Sequence, residues 1–340
     1  MLMLKLLYSL DEDIYMLLHS LNKRPCSMKQ SNIDPNAVSR RRALSLFGAG
    51  ILGASLPRLH ALQPDDFLVK PIPSSGEQLP LIGLGSWITF NVGRDTGGLD
   101  QSARVMKAFF GAGGRMIDSS PMYGSSQATI GYGLEKNGIP EHLFAADKIW
   151  TAGAANGRQQ LIETSQRWQI PQLSLLQVHN LRDWEAHLPI LFEMKRKGQL
   201  GYVGVTTSHG RRHRDVERIL ASQPIDFVQV TYNGVDRAVE RRLLPLALER
   251  GVAVIANRPY GGGRLIRHAK RNTLPAWVNE FDCNSWPEFL LKFVVSHPSV
   301  NCAIPATTNV DHVRENMQAS TGVLPDARMR RRMADHLETL

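Results

Sequence analysis

From about residue 67 onward the apolar residues follow two alternating rhythms. Short runs with β-branched content recur at residues 81–85, 115–118, 143–149, 173–179, 202–206, 226–231, 252–256 and 301–305. Runs of this length, bounded by glycine, proline or Asx residues, predict strands buried on both faces. Between them the apolar residues fall at helical spacing, as in Leu188, Leu191 and Phe192, in Leu243, Leu244, Ala247 and Leu248, and in Phe289, Leu290, Phe293 and Val294. Gly113-Gly114, Gly198 and Gly251 stand where left-handed residues end helices ahead of strands. Pro287 is placed for the first turn of a helix, where its missing N–H costs nothing. Eight strands alternating with helices predict an α/β fold, a (β/α)8 TIM barrel over residues 62–340, with a doubly wound open sheet as the runner-up.

Residues 1–61 read differently, as an N-terminal extension carrying an export signal. Ser39, Arg40, Arg41 and Arg42 precede an uncharged stretch rich in Gly and Ala that ends at Pro57. That stretch is shorter than the ~20 residues a bilayer span needs and has signal-peptide proportions. The paired arginines resemble a twin-arginine export signal, which implies the twin-arginine export machinery as a partner and a periplasmic destination. Ala43 replaces the usual Phe, and Ser55 and Ala61 are the candidate ends of the signal. The segment before it carries the acidic patch Asp11, Glu12 and Asp13, and Met28 is the expected true start. Gly48, Gly50 and Gly53 fit G-x-G-x-x-G, but Pro57 leaves no room for the helix that a dinucleotide fingerprint requires.

Composition narrows the class. Hydrophobic residues make up 43% and charged residues 21%, which excludes a disordered chain and a polytopic membrane protein. Cys26, Cys283 and Cys302 form neither a disulfide framework nor a zinc site. His209 and His213 have i,i+4 spacing, yet Arg211 and Arg212 beside them oppose a cation, so no metal is expected. The net charge is +9, with the basic residues scattered and no aromatic-basic platform, which argues against nucleic acid and leaves an anionic small ligand as a partner. Arg328, Arg330, Arg331 and Arg332 read as the solvated face of a last helix.

A barrel places its chemistry where strands end. Asp118 ends the second predicted strand with Tyr123 just beyond it, Lys148 closes the third, and His179 closes the fourth. Each has a structural explanation when taken alone: a turn cap, a half-buried aromatic, a strand end, a satisfied core histidine. Together, and with residues 79–87, Gly124, residues 204–207, Gln229, residues 304–308 and Glu315-Asn316, they resemble the aldo/keto reductases in order and spacing. The resemblance implies a floor hairpin ahead of the barrel, formed by residues 67–73 and 77–80 around Ser75-Gly76.

It also implies NAD(P)H-dependent reduction of small aldehydes or ketones to alcohols. Tyr123 would be the proton donor, Lys148 its electrostatic partner, Asp118 the anchor of Lys148, and His179 the residue that orients the carbonyl. A phenol titrates near ~10, so it keeps its proton at neutral pH yet is a weak acid unaided; an ammonium beside it stabilises phenolate. Trp87 and Trp150 match pocket-wall positions. The implied cofactor contacts are Gly85, Ser86, Trp87, Asp118, Thr206, Thr207, Gln229, Asn257, Arg258, Pro259, Ile304, Ala306, Thr307, Thr308, His312 and Asn316. Asn257 stands where an aromatic often stacks on the nicotinamide, with Tyr260 as a substitute if its loop turns inward. Ala306 and His312 replace a lysine and an arginine of strong 2′-phosphate selectors, while Arg258 and Arg264 can supply charge, which favours NADP(H) slightly over NAD(H). The alternative is a nicotinamide-binding regulatory or partner-binding barrel with little turnover. A phosphate-ligand lyase using Lys148 as a Schiff base leaves the tyrosine and histidine unexplained. The segment 261–283, with Arg264, Arg267, His268, Lys270 and Arg271, reads as a lid. If the protein is exported, Cys283 lies in a loop open to modification and Cys302 in a buried strand. The intact mass of the cytoplasmic precursor is expected to correspond to a start at Met28; a precursor that retains Met1 removes that reading.

Overall fold

A computed structural model describes residues 67–340; the export signal, Met28, the glycine motif at 48–53 and Cys26 lie outside the described residues. The described chain begins with an antiparallel hairpin, β1 (Val69–Pro71) and β2 (Gln78–Pro80), paired from Val69 with Pro80 to Pro71 with Gln78. Eight parallel strands follow: β3 (Leu84–Gly85), β4 (Met116–Asp118), β5 (Phe144–Ile149), β6 (Leu175–His179), β7 (Tyr202–Thr206), β8 (Phe227–Thr231), β9 (Ala253–Asn257) and β10 (Cys302–Ala303). Seven fall inside the runs read from the sequence, and β9 runs one residue past its own, to Asn257. Each pairs with the next in chain order. The sheet also meets itself: Gly83 N donates to Ala303 O at 2.8 Å, Ala303 N to Leu81 O at 2.9 Å and Gly85 N to Pro305 O at 2.9 Å. A Cβ on Gly85 would lie 2.8 Å from the Ile304 carbonyl oxygen, so only glycine permits that seam to close.

The helices between strands are α1 (Thr96–Gly111), α2 (Ser126–Asn137), α3 (Ala154–Trp168), α4 (Trp184–Arg196), α5 (His213–Ser222), α6 (Leu243–Glu249), α7 (Arg264–Ala269), α8 (Trp286–Val295), α9 (Val310–Gln318) and α10 (Ala327–Thr339). Asp95, Ser285, Asn309 and Asp326 cap α1, α8, α9 and α10 with side-chain oxygens on backbone N–H groups. Gly113, Gly198 and Gly251 take positive φ of 77°, 70° and 64° ahead of their strands. The apolar face read for α6 needs one correction, since Leu248 is exposed.

Alternation along the strands divides the barrel interior into two levels. At the amino ends, Met116, Phe144, Ala146, Leu175, Tyr202, Phe227, Ala253, Ile255, Cys302 and Ile304 form one apolar cluster, which also includes Ile72 and Leu79 of the hairpin segment. Two or four residues further along the same faces come Asp118, Lys148, Gln177, His179, Thr206, Gln229, Thr231 and Asn257. The polar level sits on a plug of hydrocarbon, and the larger cluster fills the space between sheet and helices.

Two expectations change. Arg330 does not face solvent: its guanidinium donates to the Phe293 carbonyl, to the Tyr232 hydroxyl and to Glu240, and Arg332 lies over the Trp277 ring. Helical periodicity turns one residue of a four-arginine run inward, and the long stem lets its head reach acceptors. Cys283 is in a loop, as read, but is buried, and burial pushes its thiol up to about 12; like Cys302, it is shielded from modification. Next to it, Lys292 of α8 is fully buried and donates to the carbonyls of Phe281, Thr321 and Val323 at 2.8, 2.9 and 3.2 Å. Among the described residues, no helix is long and apolar enough to cross a membrane. Lys292→Met removes a buried ammonium that bonds three carbonyls and is expected to cost about 2–4 kcal/mol. Thermal unfolding of purified protein checks this, with a fall in Tm of roughly 5–10 °C expected.

Candidate active site

The carboxyl ends of β4, β5 and β6 are neighbours, so the register that buries their apolar residues also gathers their polar ones. Asp118 and Lys148 are both buried. Lys148 Nζ donates to Asp118 Oδ2 at 2.5 Å and to the Ser119 carbonyl at 2.7 Å. The other carboxylate oxygen, Oδ1, accepts from Gln229 Nε2 at 2.9 Å and from Gln177 Nε2 at 3.4 Å. Tyr123 is half-buried, and the Lys148 ammonium lies 5.1 Å from the centroid of its ring. The His179 ring meets Tyr123 edge-on at 5.7 Å, and Trp150 packs on His179 at 5.1 Å. Asp118, Tyr123, Lys148, His179 and Trp150 therefore come together on one rim.

Burial, with the Lys148 charge adding to it, holds the His179 imidazole well below its usual range, so the ring is neutral at physiological pH. Its tautomer has a local determinant that the sequence did not announce. Ser120 Oγ lies 2.8 Å from His179 Nδ1 and accepts from the Met122 N–H at 3.2 Å. Donation from the serine hydroxyl to Nδ1 is the arrangement that leaves the ring proton on Nε2, the tautomer that a carbonyl-orienting role requires. A second unannounced residue is Asp147, which points out of the barrel. It accepts from Trp168 Nε1 at 2.6 Å, from Gln127 Nε2 at 3.1 Å and from the Lys148 backbone N–H at 2.6 Å. Burial pushes its carboxyl up to about 6 despite those donors. The end of β5 is thus held from behind, between α2 and α3.

The cofactor positions read from the sequence divide into groups. Thr206 Oγ1 donates to Gln229 Oε1 at 2.9 Å, and Asn257 Nδ2 donates to the Thr207 carbonyl at 2.9 Å. Thr206, Gln229 and Asn257 thereby join the network that reaches Asp118. Ser86 is buried and donates to the Asp118 carbonyl at 2.8 Å. Gly85 bridges Ala306 at the seam, where Ile304 and Thr307 are buried and Ala306, Thr308 and His312 are exposed. Thr307 Oγ1 is 3.3 Å from His312 Nδ1. Trp87 carries the Arg258 guanidinium 5.5 Å from its ring, and Pro259 is buried. Asn316 is buried too, its Oδ1 accepting from the Tyr260 hydroxyl at 2.6 Å. Tyr260 is held in the core by that bond, so its loop does not bring the ring to the mouth as an aromatic substitute for Asn257.

The donor set suits an anionic nucleotide. Burial holds His209 down at about 4, with Arg258, Arg211 and Arg264 adding to it and Asp236 opposing. Gly261, Gly262 and Gly263, at positive φ, follow in the same loop, and the Asn309-capped start of α9 lies after β10. Cationic heads and backbone N–H groups at a helix start are the partners phosphates require.

Comparison with known proteins agrees with this geometry. The sequence model of the Aldo/keto reductase family matches residues 81–334. The chain is 24% identical over 253 residues to methylglyoxal reductase YeaE of Escherichia coli, covering 73% of this chain and 88% of that protein. Among solved structures, an aldo-keto reductase of Bacillus halodurans in its holo form superposes with a TM-score of 0.66 at 19% identity, covering 80% of this chain and 96% of the other. An aldo/keto reductase of Klebsiella pneumoniae in complex with NADP and acetate gives 0.64 at 21% identity, covering 77% and 93%. With the match spanning nearly all of the described residues, the chain belongs to the aldo/keto reductase family and is an NAD(P)H-dependent oxidoreductase.

Proposed function

We propose that this protein reduces the carbonyl of small aldehydes or ketones to the alcohol, with Tyr123 as proton donor, Lys148 as its electrostatic partner, Asp118 as anchor and His179 as carbonyl orienter. The observation that carries the reading is the buried Lys148 ammonium, ion-paired to Asp118 on one side and 5.1 Å from the Tyr123 ring centroid on the other. A binding module has no need of a desolvated ion pair against a phenol. The methylglyoxal reductase among the relatives agrees with a small, reactive carbonyl substrate.

A bound nicotinamide would supply the hydride for the carbonyl carbon. The chain's own residues do the rest. Tyr123 gives its phenolic proton to the carbonyl oxygen as negative charge builds there, and Lys148 stabilises the phenolate that remains. Asp118 keeps the ammonium oriented, with Gln229 and Gln177 holding the carboxylate in turn. His179, neutral and protonated on Nε2, donates a hydrogen bond that aligns the substrate oxygen. Trp87 and Trp150 form the pocket walls. Gly85, Ser86, Thr206, Thr207, Gln229 and Asn257 would hold the nicotinamide end, and Arg258, Pro259, Ile304, Ala306, Thr307, Thr308, His312 and Asn316 the adenosine end. NADP(H) is favoured over NAD(H), with Arg258 and Arg264 supplying the charge for the 2′-phosphate in place of the lysine and arginine missing at 306 and 312. Export through the twin-arginine machinery to the periplasm belongs to the same proposal, and the native mass of the mature protein reports both the cleavage site and any retained cofactor.

Tyr123→Phe is expected to lower kcat by roughly 10²–10⁴-fold with nicotinamide binding retained, read as loss of reduced-nicotinamide absorbance with an aldehyde panel. Equal inertness of wild type and variant, both still binding cofactor, favours the regulatory-module alternative. Because burial and Lys148 both depress His179, its protonation lies well below the usual histidine value of 6.5. The pH profile of kcat/KM is therefore expected to show no acid limb near that value. Ser120→Ala is expected to lower kcat about tenfold by releasing the tautomer, with Ser120→Thr restoring most of it.

A further inference from the structure

We infer that the substrate carries a carboxylate and that Arg182 receives it. This rests on the carbonyl-reduction reading and adds the substrate's charge. The loop after β6 presents Arg182 at the mouth. Asn180, Leu181 and Asp183 take left-handed φ of 51°, 54° and 52°. The loop is pinned at several points. Arg212 donates to the Asn180 and Leu181 carbonyls, each at 3.1 Å. The Arg182 N–H donates to the His179 carbonyl at 3.1 Å, and Asp183 Oδ2 accepts from Gly153 N at 2.7 Å. Arg182 itself is exposed, and its guanidinium lies 5.0 Å from the Trp150 ring. That ring packs on His179 on its way to the reacting centre. Only an indole separates the cation from the carbonyl orienter.

The basic charge of the mouth has two sources of demand, cofactor phosphates and substrate, and the sheet order separates them. Arg258, Arg264 and the three glycines follow β9, and the capped start of α9 follows β10. In a closed ring of eight strands running from β3 to β10, β6 stands opposite β10 and β5 opposite β9. Arg182 and Trp150 therefore lie across the mouth from the nucleotide's anions. Among the described residues Arg182 has no carboxylate partner. Stacking on indole leaves the planar edge of a guanidinium available for a two-point hydrogen bond to carboxylate. A phosphate dianion would call for a second cation, and the adjacent Arg212 is engaged with two carbonyls and Asp215.

The test compares 4-formylbenzoate with its methyl ester, using holoprotein. Wild type is expected to prefer the acid in kcat/KM by about tenfold, and Arg182→Gln to reduce kcat/KM for the acid about tenfold through KM, with kcat and the ester's kcat/KM changed less than twofold. Arg182→Lys keeps the charge without the fork and is expected to recover part of the preference. Quenching of tryptophan fluorescence by 4-formylbenzoate gives binding without turnover, and the same roughly tenfold loss is expected there for Arg182→Gln. Ester turnover with no preference for the acid, or equal losses on both substrates, overturns the carboxylate assignment and leaves carbonyl reduction standing. Acid binding that depends on Arg182 with neither compound reduced supports the assignment and overturns carbonyl reduction.

Discussion

The interaction on which the rest depends is the Asp118–Lys148 ion pair, buried at the top of a hydrocarbon plug. Two charges withdrawn from water cost several kcal/mol each unless their remaining hydrogen-bonding capacity is met. Here much of it is met: the ammonium also reaches the Ser119 carbonyl, and the second carboxylate oxygen takes two glutamine amides. Those glutamines come from β6, which pairs with β5, and from β8, which pairs with neither β4 nor β5, so the pair reaches across the barrel as well as along the sheet. The same pair sets the electrostatics of its neighbours. It lies against the phenol of Tyr123 and adds to the burial that keeps His179 neutral. A nearby uncharged donor and a phenol facing a fixed cation are two distinct chemical characters drawn from one charge arrangement.

How much of this the sequence displayed depended on whether a residue's role was local. A strand buried on both faces must be apolar throughout, so a single polar residue at its end is conspicuous; Asp118, Lys148 and His179 were legible for that reason. The hairpin arms and all eight strands were legible through the same contrast. The strand ends were less so at β3 and β10, which are only two residues long because their remaining contacts belong to the seam. Ser120, Asp147 and Arg182 had no such signal. Their partners are His179, Trp168 with Gln127, and Trp150, and each pairing exists only once the chain is folded. Arg330 and Cys283 were misread for a related reason: a charged run and a loop both imply solvent, until packing of α10 and α8 covers them.

The polar level of the barrel also shows how binding and chemistry share residues. Gln229 accepts from Thr206 and donates to Asp118, so the segment implied in cofactor contact and the ion pair are parts of one hydrogen-bonded chain. A change at either end must be felt along it, since buried networks lose more than one bond when a member is removed.

The seam has a temporal meaning as well. Residues near 83 and 303 meet as neighbours, yet more than two hundred residues of chain lie between them. During synthesis the first barrel strand has one flank open until the last strand emerges, and loop closure over so long a span is entropically slow. Completion of the cylinder, and with it the full enclosure of the hydrocarbon beneath the ion pair, is therefore an event of the chain's final stretch, set by topology rather than by any single contact.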